Sequence, residues 1–120
     1  MMTRVWFSLV SSVGLLALNV AGCASEAPDE PQDPQSVCQR FCANTRQLSC
    51  PNVNLCVSQC LDGRKAVSPN CLPLTDATMR CYAARPATDF YCDPILSKPV
   101  PLPGVCADEV AAQTSCATGR

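Results

Sequence analysis

The sequence predicts an all-α fold: a small disulfide-rich helical domain over residues 38–120, built on a twin C-x3-C helical hairpin and preceded by a disordered tether. Ten of the eleven cysteines in the 120-residue chain lie between Cys38 and Cys116, a density typical of a stapled domain matured in an oxidising compartment. Four of them form two C-x-x-x-C steps, CQRFC at 38–42 and CVSQC at 56–60. Residues four apart share one helical face. The only aromatics in the stretch are Phe41, Tyr82, Phe90 and Tyr91, so the core is too thin to hold without cross-links.

The chain opens with Met1 to Arg4, carrying one positive charge, followed by the uncharged greasy run Val5 to Val20. This is the layout of a secretory signal peptide. Sixteen helical residues rise only ~24 Å against the ~30 Å of a bilayer core, which disfavours a permanent span. Where the run stops, Val20, Ala21 and Gly22 lead into Cys23. VAGC resembles the lipobox of bacterial lipoproteins, an aliphatic residue and two small ones before a cysteine. The resemblance covers about the first 23 positions and implies that residues 1–22 are removed as a signal peptide. It further implies that the Cys23 sulfur carries diacylglycerol and that the new amino terminus takes a further acyl chain of the palmitate kind. An ordinary signal peptide with a coincidental cysteine is the alternative. Lipidation of Cys23 leaves ten cysteines, an even number, although cleavage just after Cys23 would do the same. One acyl chain anchors only reversibly and several anchor firmly. By the family's sorting rule, Ala24 in place of aspartate implies the outer membrane.

Residues 24–37, ASEAPDEPQDPQSV, hold three prolines, four acids and no base. With the lipidated Cys23 this segment, 23–37, reads as a disordered acidic tether, able to hold the domain as much as ~40 Å from the headgroups. Beyond it, Ser36 and Gln39 form a candidate capping box for a first helix whose face is Val37, Phe41, Cys42, Thr45 and Leu48, ended by Pro51. A second helix is expected over about 53–62, closing at Gly63. Running antiparallel, the two would be riveted by nested bridges, Cys38 to Cys60 and Cys42 to Cys56. The arrangement resembles the twin C-x-x-x-C hairpins of small mitochondrial intermembrane-space proteins over residues 38–60 only, as shared geometry without their import role; Cys50 interrupts the spacer here.

The intervals Cys71 to Cys81 and Cys106 to Cys116 each enclose nine residues. Pro73 suits the first turn of a third helix over Leu74, Ala77, Thr78, Cys81 and Ala84, and Asp108 and Glu109 suit the first turn of a fourth. If antiparallel, they would pair Cys71 with Cys116 and Cys81 with Cys106, leaving Cys50 for Cys92. Six cysteines admit fifteen connectivities, so this is one arrangement among several. Residues 83–104 read as a stiff polyproline connector around Pro99, Pro101 and Pro103, with Phe90 and Tyr91 packed over the helices; an exposed aromatic contact patch is the sharper alternative.

Nine basic and ten acidic side chains, with no basic cluster, speak against nucleic-acid binding. The chain has no histidine and no C-x-x-C step, which removes the commonest base and the commonest zinc pattern, so no metal or other cofactor is expected. Asp108 and Glu109 are adjacent and point about 100° apart on a helix, and no catalytic pair is evident. The functional expectation is a non-catalytic, lipid-anchored lipoprotein of the cell envelope, a binding or structural module. Its expected partners are the membrane and an unidentified envelope protein. The whole chain resembles small cysteine-rich lipoproteins of unassigned role. The alternative is a carrier of small apolar ligands or lipids, since linked helices around a thin core can enclose a cavity; the adjacent C-C and C-x-C steps of plant lipid-transfer proteins are absent.

Overall fold

A computed structural model describes residues 32–120. The lipobox residues Val20, Ala21 and Gly22, Cys23 and the tether up to residue 31 lie outside the described residues. Helix α1 spans Pro34–Thr45. It starts inside the stretch expected to be tether, because Asp33 rather than Ser36 is the cap: the Asp33 carboxylate accepts the Ser36 N–H at 3.2 Å, and Pro34 occupies the first turn, where no N–H is needed. A 3-10 turn, Arg46–Leu48, and left-handed Ser49 (φ 53°) end it before Cys50.

Helix α2 spans Cys56–Lys65 after a 3-10 turn at Val53–Leu55. It therefore runs through Gly63 instead of closing there. Helix α3, Leu72–Ala83, begins with Pro73 in its first turn, and α4, Ala107–Thr118, carries Asp108 and Glu109 in its first turn. Left-handed Gly119 (φ 68°) ends α4, with the Gly119 and Arg120 N–H groups donating to the Cys116 and Ser115 carbonyls in a Schellman closure.

Five disulfides tie these elements together: Cys38–Cys60, Cys42–Cys56, Cys50–Cys92, Cys71–Cys116 and Cys81–Cys106. Two nested bonds rivet α1 to α2 and two rivet α3 to α4, each pair of helices antiparallel. Helix α1 packs against both α2 and α3. Of the bonds, Cys50–Cys92 alone crosses between the two riveted hairpins.

The fold is mainly helical but not purely so. Residues expected to form a polyproline connector make an antiparallel hairpin, β1 Phe90–Asp93 and β2 Lys98–Pro101, with Phe90 opposite Pro101 and Asp93 opposite Lys98. Prolines are tolerated because they recur with the period of a strand. Pro99, Pro101 and Pro103 remove donors on one edge only, and Lys98, Val100 and Leu102 keep theirs on the other. In agreement, the Leu102 N–H donates to the Asp89 carbonyl at 2.8 Å. Asp93 shapes the connecting turn by accepting the Ile95 and Leu96 N–H groups at 2.8 and 2.7 Å. Strand alternation then separates the two aromatics: Phe90 is 4% exposed and Tyr91 42%, so only Phe90 packs over the helices.

The core is largely sulfur. Among the described residues six of the ten buried apolar ones are half-cystines, and no large side chain is fully buried. Phe90 makes edge contacts with Phe41 and Tyr82, at centroid distances of 5.5 and 5.9 Å, joining α1, α3 and β1. On α3 the buried positions are Thr75, Thr78 and Ala83, and Ala84 is exposed, so the packed face is rotated from the one expected. The buried hydroxyls of Thr45, Thr75 and Thr78 donate to carbonyls four residues back, which makes them tolerable in an apolar setting.

Candidate functional site: an apolar groove beside the hairpin

Pro99, Val100 and Pro101 give β2 no face rich in polar groups, and the strand lies over the gap between α2 and α3. The result is a groove of about 490 Å³, within the ~300–1,000 Å³ of small-molecule sites. Helix α3 contributes Thr75, Met79 and Tyr82, a set spaced by one helical turn; α2 contributes Gln59, Gly63 and Arg64; Leu96 and Val100 close it from the hairpin. A broader depression of about 840 Å³ at the end of α1 is lined by Asn44, Arg46, Gln47 and Arg85 among others. It is the more polar of the two and less suited to hold an apolar ligand.

The groove walls are held firmly. Arg64 donates from Nε to Asp76 Oδ1 at 2.7 Å and from Nη2 to Oδ2 at 3.0 Å, a bidentate pair tying α2 to α3. Hydrogen bonding to Asp76 is the main cause of a rise in the Arg64 pKa above its ordinary value. Gln113 of α4 donates to the Thr75 hydroxyl at 3.1 Å. Across α1, the Asn44 amide donates to the Ala83 carbonyl at 2.9 Å, closing the end of α3. Burial raises the Tyr82 phenol, and the negative charge of Glu109 raises it further.

The ten cysteines singled out by the sequence are structural: none lies open as a thiol, since each is bonded to another. Cys81, Cys106 and Glu109 bring three ligand-type atoms within 4.8 Å. The two sulfurs are joined to each other, so they offer no thiolates to a metal. Among the described residues no helix is long and apolar enough to cross a membrane.

Met79, Leu96 and Lys98, which no motif in the sequence marks, border the groove, as does Gly63, which was expected only to close a helix. The spacing of Thr75, Met79 and Tyr82 was the available signal, but a groove needs three elements to meet, and one of them was read as a connector. No protein-family model, curated protein or solved structure matches the chain.

Proposed function

We propose that the protein is a non-catalytic, lipid-anchored lipoprotein of the bacterial cell envelope, a disulfide-stapled binding or structural module carried on the outer membrane by a lipidated Cys23. The observation that carries this reading is the closure of the disulfide framework. All ten cysteines from Cys38 to Cys116 bond among themselves, so the domain calls on no sulfur from Cys23, which remains for the lipid that VAGC implies.

Intact mass of the protein from membranes, with and without reduction and alkylation, tests this. The expected result is a chain beginning at an acylated Cys23, with alkylation only after reduction. A mass without fatty acid, or alkylation before reduction, refutes it. Cys23→Ser should release the protein from membranes.

A second reading, a carrier of small apolar ligands or lipids, is favoured by the groove. Its size and its lining by Phe41, Val67, Met79 and Val100 suit an apolar guest.

A further inference from the structure

Gly63 sits inside α2 and borders the groove. Glycine weakens a helix interior, and nothing in the fold calls for it here. Its φ is not among the positive ones, and a Cβ at Gly63 would meet no atom within 4 Å. What the missing side chain leaves is room along the groove wall.

The charges around that room have one sign. The charged residues bordering the groove are Arg64 and Lys98. The Arg64 guanidinium is matched by Asp76. Lys98 stands opposite Asp93 in the hairpin register; Asp93 turns Oδ1 to the Ile95 and Leu96 N–H groups, and among the described residues neither ion pair includes Lys98. An apolar trough thus carries an uncommitted ammonium at its hairpin side. At about 490 Å³ the groove lies in the size range of sites that bury a drug-sized ligand, room enough for an alkyl chain.

We propose that the groove binds a long-chain fatty acid, with its alkyl chain passing Gly63 between α2 and the hairpin and its carboxylate paired with Lys98. This rests on the carrier reading and adds the ligand class to it. The chain would displace water from the sides of Met79, Leu96 and Val100, and the carboxylate would complement Lys98, the cation bordering the groove that belongs to neither ion pair of the described residues.

The test is photolabelling of the full protein in its native membrane with a diazirine analogue of palmitate, mapping the attachment sites by peptide mass spectrometry. Labels are expected on residues 63–67, at the end of α2, and on residues 96–100. Excess palmitate should suppress them, and hexadecanol, which lacks the charge, should compete about fivefold less well. Lys98→Glu, an exposed change that leaves the core alone, should erase that preference. Gly63→Phe should abolish labelling and Gly63→Ala retain it, each variant being checked by non-reducing mass for its five disulfides. Absence of label from the groove overturns both the inference and the carrier reading. Groove labelling that hexadecanol suppresses as well as palmitate overturns the fatty-acid inference and leaves the carrier reading standing. Labelling unchanged in a correctly bonded Gly63→Phe protein overturns the path assigned to the chain.

Discussion

Removing Cys50–Cys92 should destabilise the protein more than removing either bond of the first hairpin. A disulfide acts mainly by shrinking the unfolded ensemble, so its worth follows the loop it alone closes. Cys50 and Cys92 are 42 residues apart in sequence, and none of the other four bonds offers a shorter path between them. The loop-entropy relation then gives about 4 kcal/mol for this bond. Cys42–Cys56 spans 14 residues, but with Cys38–Cys60 intact the ring it closes runs through the two C-x-x-x-C steps. That ring of roughly ten residues is worth about 2.7 kcal/mol. Cys71–Cys116, nested outside Cys81–Cys106, closes a ring of roughly twenty residues and should fall between them, near 3.4 kcal/mol by the same approximate relation. Cys50, Cys42 and Cys56 are all buried, at 4%, 8% and 8% exposure, and Cys92 is half-buried, so the packing defect is no larger for the Cys50/Cys92 pair and the ring size should decide the order. Guanidinium unfolding of the oxidised double alanine variants, followed by far-ultraviolet circular dichroism, measures it. A Cys42/Cys56 variant less stable than the Cys50/Cys92 variant would refute the reasoning.

Gly63→Ala should raise stability by about 0.5–1 kcal/mol in the same unfolding assay, since the helix gains a better former and the added Cβ meets no neighbour. Asn44→Ala should lower it by about 1 kcal/mol, because the Ala83 carbonyl loses the 2.9 Å bond that closes α3. Tyr82 should ionise later in the folded protein than in the reduced, unfolded chain, a difference read from phenolate absorbance in a Tyr91→Phe background. Burial, aided by Glu109, raises its folded pKa. The fold therefore favours the protonated phenol, and the corresponding stability is present below the unfolded value of about 10 and lost as pH rises past it. Coincident folded and unfolded titrations would count against the placement of Tyr82.

Much of the helical frame was legible because cysteine spacing is a geometric code. A bond requires two Cα atoms about 6 Å apart, as the observed 5.6 to 6.1 Å separations illustrate. Steps of four place sulfurs on one helical face, and two such steps on antiparallel helices can be riveted by two nested bonds. Pro73, Asp108 and Glu109 likewise marked helix starts through local backbone and dipole chemistry. Asp33 was missed as a cap because Ser36 offered an equally good local pattern. The two differ only in which side chain accepts the amide, a choice made once Pro34 joins the first turn.

By itself, then, the sequence determined a stapled, predominantly helical domain, since turn periodicity and sulfur chemistry act over a few residues. Only tertiary structure decided that 90–101 forms a hairpin, that Tyr91 faces outward while Phe90 is buried, and that Gly63, Met79 and Lys98 border one groove. The pairing of Lys98, Val100 and Leu102 donors depends on a partner strand, and a groove exists only where faces of separate elements fail to close on each other.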